Sequence, residues 1–444
     1  MTEPILVADF GTCFSSAAVL AGTEVQLVRE PTTGSFSWPS AVYADGGRLL
    51  VGTPAASRRN RDPARYRSEL KRYLGQDGDI MLGPVGYPAQ ALVTAVLAAL
   101  KAEAEQVAGT AISRGVLTIP ASYGRADQRR ALMIEAAEAT GLRTVELLAE
   151  PVAAVFAPVI GPRPAADELV LVYDFGGGTF DTALVRVTAT GHEVLGSTAL
   201  DDCGGLDVDA MLVSQLTADA RGWLPSAANG ADGAESTALR LKVTFGDVAR
   251  NLKHQLSDTM AAEDFILPDS PATRLTRAEL TQLVSPFLDR TVQCCRELLN
   301  RLGVPVPEVS AILTVGGSTR MPTVADALGR AFGRPLRRTE DPDLAVVRGA
   351  ALWARTQAVR SIPALPREPG PVLLRWMIPR ASLLRWLVPV GTPYQEGTPL
   401  ARVRYQDGTI WDLCARQPGR IEQVFVGAGD EVRQELWLAV AREP

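Results

Sequence analysis

Two stretches of the chain share one pattern, in which an apolar run ends in Asp-Phe-Gly and is followed by a second apolar run. The first pair is Ile5 to Phe10 with Ser16 to Leu20, and the second is Leu169 to Phe175 with Thr182 to Val187. Short apolar runs bounded by glycine predict buried strands joined by tight turns, so each pair is predicted to be a β-hairpin. A third run, Ala311 to Val315, also ends in glycines. The two halves of the chain therefore share one plan.

Helical patterns separate these strands. Apolar positions recur with helical spacing from Tyr87 to Val107 and from Asp127 to Thr140, where Gly141 is expected to cap the helix. Further helices are predicted over Phe245 to Leu256 and over Phe287 to Leu299. Strands that alternate with helices predict a mixed α/β architecture, which is here duplicated.

Other segments lack this periodicity. Gly222 to Ser236 is rich in Ala, Gly and Asn and is predicted to be a surface loop, whereas Ser361 to Pro371, with its prolines, is predicted to be a linker. After the linker only short strands are expected. The predicted organisation is therefore a nucleotide-binding domain over residues 1–360, a linker over 361–371 and a β domain over 372–444.

Composition narrows the range of functions. The 444 residues are 46% hydrophobic and carry a formal net charge of -5, so the chain lacks the cationic excess that favours nucleic acid as a partner. The odd number of cysteines, without metal-ligand spacing, favours a reducing cytoplasm. The N-terminus lacks the features of a signal peptide, and arginines and prolines interrupt the apolar stretch Pro371 to Val390. Neither export nor contact with a membrane is expected.

The two Asp-Phe-Gly turns carry the chemistry that a nucleoside triphosphate requires. Close backbone N–H donors bind its phosphates, and carboxylates hold its magnesium ion. Asp9 and Asp174 stand at the ends of the two strands and are followed by small residues. Protein kinases also use Asp-Phe-Gly, but neither His192 nor His254 is followed by Arg-Asp, and no P-loop signature occurs. The protein-kinase and P-loop classes are therefore excluded.

A set of short segments, in its order and spacing, resembles the nucleotide-binding domain of the seventy-kilodalton heat-shock chaperone family, DnaK-like in bacteria. The segments are Val7–Ser15, Leu70–Gly75, Thr118–Ala121, Ala149–Pro151, Tyr173–Asp181, Gly316–Pro322 and Asp341–Asp343. The resemblance covers about residues 4–357. It implies a duplicated actin-like ATPase fold, with two lobes that have ribonuclease H-like cores, followed in this chain by a small all-β barrel-sandwich domain.

The resemblance also implies roles for individual residues around ATP or ADP and Mg²⁺. Those implied to act in hydrolysis are Lys71, Glu150, Asp174, Thr179 and Asp181. Those implied to bind the nucleotide are Asp9, Gly11, Thr12, Cys13, Gly176, Gly177, Gly178, Gly204, Gly205, Lys253, Ser257, Gly316, Gly317, Ser318, Arg320 and Asp343. Asp9 and Asp174 are implied to lie beside the metal.

This chain departs from the family pattern at four positions, two of which, Arg250 and His254, are on the adenosine side of the implied site. Arg250 and His254 stand where the family usually has Glu and Arg, and Cys13 and Cys203 replace the usual Thr and His. A thiol is a poorer hydrogen-bond donor than a hydroxyl. The contacts to the base are therefore expected to differ from those of the family.

The segment after the linker resembles a biotinyl or lipoyl domain, with residues 385–403 as one half and 418–440 as the other. An unrelated small β barrel is the alternative. Such carrier domains attach their cofactor to a lysine between the halves, but Asp407 lies near that place and no lysine follows Lys253. The domain is therefore expected to carry neither lipoate nor biotin and to dock a partner instead. The large side chains that could anchor this contact are Trp376, Trp386, Trp411 and Trp437.

These features together predict an ATP-binding, slowly ATP-hydrolysing, chaperone-like switch. Its C-terminal domain is expected to dock a protein client, and a nucleotide-exchange or co-chaperone factor is a further candidate partner. Residues 372–444 are too few for the peptide-holding β-sandwich and helical lid of the family, so general peptide binding is not expected. Two alternatives stay open: an actin-like scaffold with a structural nucleotide, and a small-molecule kinase on the same fold.

Overall fold

The computed structural model describes residues 3–124, 127–161, 165–188, 191–220, 231–359, 372–374, 380–405, 408–415, 417–432 and 438–442. The chain divides into two units, Met1–Val359 and Arg360–Pro444, and the predicted boundary after residue 360 lies beside this division. The predicted linker Ser361–Pro371 lies outside the described residues, as do Asp407, Trp376 and Trp437.

The first lobe of the first unit comprises residues up to 161. Its strands and helices are, in chain order, β1 (Ile5–Phe10), β2 (Phe14–Ala21), β3 (Glu24–Leu27), β4 (Trp38–Pro39), β5 (Ala41–Asp45), β6 (Arg48–Val51), α1 (Thr53–Ala56), a 3-10 turn (Pro63–Arg65), β7 (Tyr66–Ser68), α2 (Leu70–Tyr73), β8 (Ile80–Leu82), β9 (Val85–Tyr87), α3 (Ala89–Ala108), β10 (Arg114–Ile119), α4 (Gln128–Glu138), β11 (Thr144–Ala149) and α5 (Glu150–Phe156).

The second lobe follows, up to residue 359. Its strands and helices are β12 (Leu169–Phe175), β13 (Phe180–Thr188), β14 (Gly191–Leu200), α6 (Gly205–Ala220), α7 (Ala231–Asp258), β15 (Ala261–Phe265), β16 (Ala272–Thr276), α8 (Arg277–Leu302), a 3-10 turn (Val306–Glu308), β17 (Val309–Val315), a second 3-10 turn (Gly317–Arg320), α9 (Pro322–Phe332), β18 (Leu336–Arg338) and α10 (Ala345–Val359).

The two lobes repeat one sheet topology. The first sheet has the order β11-β10-β1-β2-β3, with β4 also paired to β2, and the second has the order β14-β13-β12-β17-β18. In each sheet the first strand is antiparallel to the strand that follows it and parallel to a later strand, β10 or β17. The duplicated actin-like fold predicted from the sequence is therefore confirmed, and the two Asp-Phe-Gly turns occupy equivalent corners of the two sheets.

The helices bury apolar stripes against these sheets. On α3, Leu92, Val96 and Leu100 recur every four residues and lie in the core of the first lobe. On α8, Leu288, Cys295 and Leu299 are spaced by seven and four residues, so they lie on one face of the helix and in the core of the second lobe. No helix among the described residues is both long enough and apolar enough to cross a lipid bilayer.

Helices α5 and α10 pack against each other and against both sheets. Ala153 and Ala350 share a core with β1 and β10 of the first sheet, whereas Ala154 and Ala345 share a core with β12 and β13 of the second. At their crossing, a Cβ added to Gly349 would lie 1.9 Å from the carbonyl oxygen of Ala153. Glycine is therefore required at residue 349 for the two backbones to approach this closely.

Several predicted element boundaries were wrong. Tyr87, predicted to start a helix, belongs to β9, and the helices predicted over Phe245–Leu256 and Phe287–Leu299 are parts of the longer α7 and α8. The loop predicted over Gly222–Ser236 ends earlier, because α7 begins at Ala231, and residues 221–230 lie outside the described part of the chain. Ala231 and Ala234 of the predicted loop are strong helix formers and belong to this helix. The predicted cap Gly141 lies beyond the end of α4, which is capped at Ala139; the Gly141 amide closes the following turn on the carbonyl of Glu138 at 2.8 Å.

The second unit is described by itself, and its described elements are all strands. They are β19 (Val372–Leu374), β20 (Ala381–Trp386), β21 (Pro393–Tyr394), β22 (Pro399–Tyr405), β23 (Ile410–Cys414), β24 (Gly419–Val424), β25 (Glu431–Val432) and β26 (Ala439–Arg442). They form two antiparallel four-stranded sheets, β19-β26-β24-β21 and β23-β22-β20-β25. Leu383 and Val403 of one sheet share a core with Ile421 and Ala441 of the other. The likeness to a biotinyl or lipoyl domain stays a prediction.

We expect Gly349→Ala to lower the free energy of unfolding by about 1 to 3 kcal/mol, because the new methyl group overpacks the crossing of α5 and α10. The matched control is Gly246→Ala in α7, where no atom lies within 4 Å of an added Cβ. This control should raise stability by about 0.5 to 1 kcal/mol, since alanine favours a helix over glycine. Urea-induced unfolding of the full chain measures both, and equal stabilisation by the two substitutions would contradict the close crossing.

Candidate functional site

A cavity of about 840 Å³ lies between the two lobes, at the ends of β1 and β12. Every residue predicted to bind or hydrolyse nucleotide lines this cavity, except Asp181 and Gly204. Asp181 is only 1% exposed and lies beneath the wall, where the Ala121 amide donates a hydrogen bond to its carboxylate at 2.6 Å. The fold thus brings together residues that are more than 300 positions apart in the chain.

The register of the strands positions the two aspartates. Asp9 lies opposite Thr118 in the parallel pair β1 and β10, and the Thr118 hydroxyl donates a hydrogen bond of 2.6 Å to the Asp9 carboxylate. Asp174 lies opposite Asp181 in the hairpin of β12 and β13. Because side chains at paired positions of neighbouring strands point to the same face, carboxylates of both sheets gather at one end of the cavity.

The two Asp-Phe-Gly turns are in direct contact. A Cβ at Gly178 would lie 2.5 Å from the Thr12 side chain, and a Cβ at Gly177 would lie 2.4 Å from Cys13 Sγ. Only glycine allows this approach. The glycines of the second turn therefore let the two turns pack together, and they also leave the backbone amides of the turn accessible from the cavity. Burial raises the pKa of the Cys13 thiol to about 11, so it is a protonated thiol at neutral pH.

The start of α6 supports the second turn. The Gly205 amide donates to the carbonyl oxygen of Gly176 at 3.0 Å, and the Leu206 amide donates to that of Gly177 at 2.7 Å. The Gly204 amide donates to the Asp207 carboxylate at 2.8 Å. Gly204 and Gly205, which the resemblance implied as nucleotide ligands, therefore use their amides to hold the turn and the helix start.

Lys71 and Glu150 form a buried ion pair at the base of the cavity. The Lys71 ammonium donates to Glu150 Oε1 at 2.5 Å, and the two side chains are 5% and 10% exposed. Lys71 belongs to the single turn α2, and Glu150 is the first residue of α5. Burial alone lowers the pKa of Lys71, but attraction by Glu150, Tyr123 and Asp9 outweighs burial and raises it above its ordinary value. Lys71 therefore stays charged.

The carboxylates around Lys71 are destabilised in their ionised form. Burial and then repulsion by Glu150 raise the pKa of Asp9 to about 6 and that of Asp181 to about 7. Burial, followed by repulsion from Glu150, Asp181 and Asp9, raises the pKa of Asp174 well above its usual range. These four carboxyl groups share one ammonium, so the site favours an additional cation.

The donor set fits Mg²⁺. No group of three or more His, Cys, Asp or Glu side chains in the described ranges is arranged as a complete metal cage. Mg²⁺ does not need such a cage, because it keeps several waters and takes one or two carboxylates together with phosphate oxygens of a substrate. Asp9 and Asp174, at the ends of the two strands, supply hard oxygen donors of that kind.

On the opposite side of the cavity, one face of α7 contributes Arg250, Lys253, His254 and Ser257. The Lys253 ammonium contacts Asp209 Oδ1 at 2.7 Å and the Gly205 carbonyl oxygen at 2.9 Å. Burial and then the charge of Lys253 lower the pKa of His254, which favours a neutral imidazole. The α7 face therefore combines fixed cations with a neutral ring that can pack against a planar group.

The third wall contains the turn after β17. The Ser318 hydroxyl donates to the Gly176 carbonyl oxygen at 2.8 Å, so this turn is fastened to the second Asp-Phe-Gly turn. The Arg320 guanidinium, which lies at the rim, contacts Asp343 at 2.7 Å and Asp341 at 3.0 Å. Gly316 and Gly317 complete the wall.

Ion pairs that join the two lobes were missed from the sequence: Arg72–Asp207, Arg59–Asp247 and Arg129–Asp201. Arg72 donates to Asp207 at 2.8 Å and to the Gly178 carbonyl oxygen at 2.9 Å, so it connects the first lobe to the second turn. Arg59 contacts Asp247 of α7 at 2.5 Å. Arg72 directly follows Lys71, and this adjacency was the available signal for the pair of Arg72 and Asp207. The sequence carries no signal for the pair of Arg59 and Asp247.

Comparisons with known proteins agree with this geometry. The family model described as Hsp70 protein matches residues 79–360. Chaperone protein DnaK of Halobacterium salinarum is 30% identical over 360 residues, which is 79% of this chain and 55% of that protein. Chaperone protein DnaK of Cenarchaeum symbiosum is 31% identical over 363 residues, 79% and 54% of the two chains. Chaperone protein HscA homolog of Bordetella pertussis is 33% identical over 383 residues, 79% and 57% of the two chains.

The chain thus spans just over half the length of the curated relatives it matches. The matched family region includes the second Asp-Phe-Gly turn, Glu150, the α7 face and the turn after β17. The duplicated fold, the paired turns and this match together show that the chain belongs to the Hsp70 family.

Proposed function

We propose that this chain binds ATP or ADP with Mg²⁺, hydrolyses ATP slowly, and uses its nucleotide state to control the docking of a partner by residues 372–444. The observation that carries the proposal is the buried pair of Lys71 and Glu150 at the base of a cavity walled by both Asp-Phe-Gly turns.

The Lys71 pair favours hydrolysis over a purely structural nucleotide. Removing two charges from water costs several kcal/mol per ion, and an ion pair in such a place contributes little to stability. A fixed ammonium beside carboxylates instead supplies the preorganised charge that phosphoryl transfer uses, since that reaction depends mainly on positioning and electrostatics. The actin-like scaffold therefore ranks second, and nothing in the cavity specifically favours a small-molecule kinase.

Each group in the cavity has a role in this proposal. The Lys71 ammonium stabilises negative charge at the γ-phosphate. Glu150 orients the attacking water through its carboxylate oxygens. Asp181, which lies beneath the cavity wall, assists by accepting a hydrogen bond from the Thr179 hydroxyl beside the γ-phosphate. The Thr12 hydroxyl donates to a phosphate oxygen. Asp9 and Asp174 would hold Mg²⁺. The metal, when bound, neutralises charge on the β- and γ-phosphates.

The adenosine is proposed to lie between α7 and the turn after β17. Lys253 and Ser257 contact it from α7, Gly316, Gly317 and Ser318 contact it from the turn, and Arg320 and Asp343 close the rim. The neutral ring of His254 supports this assignment, because it offers a flat face to the base. Arg250 adds a cation at this side, which distinguishes the chain from the family pattern.

The nucleotide is proposed to act as a switch through the lobes that enclose it. Both lobes contact the cavity, and α5 and α10 pack against both sheets, so a ligand that contacts both walls can bias their separation. The relatives named above are chaperones, which supports a protein client and an exchange or co-chaperone factor as partners. The odd number of cysteines, without metal-ligand spacing, supports the cytoplasm as the proposed location.

We expect Lys71→Ala to retain Mg-ATP binding and to lose about 100-fold or more of its ATP turnover, because the charge at the γ-phosphate is removed while the walls of the cavity remain. Titration of a fluorescent ATP analogue measures binding, and release of phosphate measures turnover. The matched control is Lys242→Ala, which removes an exposed ammonium from α7. If Lys71→Ala hydrolyses ATP as fast as the control, Lys71 is not catalytic, and the alternative of an actin-like scaffold with a structural nucleotide would be favoured.

We expect Mg²⁺ alone to stabilise the nucleotide-free chain more at about pH 8 than at about pH 5.5. The pKa values of Asp9 and Asp181 are raised from 3.8 to about 6 and about 7, so the folded chain holds protons that the unfolded chain has released. The free energy of unfolding should therefore fall as the pH rises from about 4 to about 7, and Mg²⁺ should offset this loss.

Calorimetry of the full chain with and without MgCl₂ at the two pH values tests this expectation. Asp181→Asn should flatten the pH dependence of the free energy of unfolding, since one of the three carboxyl groups with a raised pKa is removed. Asp269→Asn, at an exposed loop position, should leave it unchanged. Equal stabilisation by Mg²⁺ at both pH values would contradict the predicted exchange of protons for metal.

A further inference from the structure

One face of α7 runs along the cavity, and its two ends have different surroundings. Arg250, Lys253 and Ser257 are spaced by three and four residues, so they lie on that face, and all three line the cavity. Seven residues of an α-helix span about 10 Å. The face is therefore long enough to contact a nucleoside at one end and the phosphates attached to it at the other.

The end of this face at Ser257 lies near the rim of the cavity. Asp343 and Asp341 contact the Arg320 guanidinium there at 2.7 and 3.0 Å. The charge of Asp258, which directly follows Ser257, also attracts Arg320. The acidic groups at this end are therefore engaged with the arginine of the rim.

The end of the face at Arg250 lies beside the first Asp-Phe-Gly turn. Burial raises the pKa of the Cys13 thiol, and the charges that oppose this rise most are those of Arg250 and Lys253. Cys13 in turn touches the second Asp-Phe-Gly turn, since a Cβ at Gly177 would lie 2.4 Å from its Sγ. Arg250 therefore lies beside the place where the two turns meet.

Direct contacts fasten the same part of α7 to the second turn. The Lys253 ammonium donates to the Gly205 carbonyl oxygen at 2.9 Å, and the Gly205 amide donates to the Gly176 carbonyl oxygen in the turn at 3.0 Å. Arg250 precedes Lys253 by about one helical turn. Its backbone is thus held near both turns, which form the phosphate end of the proposed nucleotide site.

Two cations share one carboxylate at this end. Asp209 Oδ1 lies 2.7 Å from the Lys253 ammonium, while Asp209 Oδ2 lies 3.5 Å from Arg250 Nε. The Lys253 side chain is 9% exposed, whereas that of Arg250 is 39% exposed. Asp247, which also attracts Arg250, is engaged by Arg59 at 2.5 Å. Arg250 and Lys253 together carry one more positive charge than Asp209 offsets, and Arg250 is the more accessible of the two.

We propose that Arg250 binds the 5′-phosphate chain of the nucleotide next to the sugar, where the two Asp-Phe-Gly turns meet. A guanidinium presents its N–H donors in a planar fork that matches phosphate oxygens, and such charge-assisted hydrogen bonds are stronger than neutral ones. The phosphate chain would then lie between Arg250 on one side and the proposed Mg²⁺ at Asp9 and Asp174 on the other. This inference rests on the proposed nucleotide site and adds a phosphate-binding residue to it.

The contact with Arg250 would hold the product as well as the substrate. The phosphates next to the sugar are present in both ATP and ADP, so this contact is kept when the γ-phosphate leaves. A glutamate, which the family usually has at this position, would repel the same phosphates. The chain is therefore expected to bind ADP more tightly than its Arg250→Glu variant.

Calorimetric titration of the full chain with Mg-ADP and with adenosine tests the proposal. Arg250→Gln should lower the ratio of ADP affinity to adenosine affinity by about tenfold or more, because a charged contact with a phosphate is lost. Arg250→Lys should restore part of that ratio, and Arg250→Glu should lower it further. The matched control Arg330→Gln changes an exposed arginine of α9 outside the cavity and should leave the ratio at the parent value.

Two other roles of Arg250 predict different results. An equal loss of affinity for ADP and for adenosine in Arg250→Gln would overturn the proposal, since the guanidinium would then contact the base or serve only the packing of α7. Adenosine 2′-monophosphate and adenosine 3′-monophosphate test a phosphate on the sugar hydroxyls. If Arg250→Gln weakens binding of either compound but not of ADP, the proposal is overturned and Arg250 is assigned to the sugar side.

Measurements on the parent chain separate this inference from the proposed function. If the parent binds Mg-ADP and Arg250→Gln binds it equally well, only the contact with Arg250 is refuted. If the parent does not bind Mg-ADP, the proposed nucleotide site fails, and the contact with Arg250 fails with it.

Discussion

An excess of buried negative charge around one ammonium is the constraint on which the rest of the cavity depends. Asp9, Glu150, Asp174 and Asp181 converge on Lys71, and the pKa values of the three aspartates are raised first by their burial and then by repulsion from Glu150. Such clusters are typical of functional sites, and the proposed Mg²⁺ would supply positive charge that this one lacks. The duplicated hairpins supply the geometry for this arrangement, because each delivers an aspartate and a glycine turn to the same place from its own sheet.

Much of this arrangement could be predicted from the sequence, since its signals are local. The run Leu169–Phe175 coincides with β12, and Ile5–Phe10 coincides with β1, because uninterrupted apolar runs bounded by glycine have few alternatives to a buried strand. The residues of the two turns were identified in the same way. That the two turns meet could be predicted only because the hairpin occurs twice in the chain. The periodicity of a single segment does not contain that information.

The remaining features depend on contacts between distant segments. Arg72 and Asp207 are unremarkable surface types in the sequence, and their pairing exists only because the lobes face each other across the second turn. Gly349 resembles any helical glycine until α10 meets the carbonyl of Ala153. The start of α7 was missed for a different reason, since alanine-rich sequence beside glycine and asparagine suits both loop and helix. In the second unit, the exposure of Trp411 depends on its place at a sheet edge, which strand pairing alone determines.

The central claim is that both turns bind one nucleotide at the same time. Amide hydrogen exchange of the full chain, followed by mass spectrometry with and without Mg-ADP, tests it most directly. The account predicts that the nucleotide slows exchange in the peptides containing Gly11 to Cys13 and in those containing Gly176 to Thr179, together with the α7 peptide containing Lys253. Slower exchange at only one of the two turns, or at neither, would contradict the account.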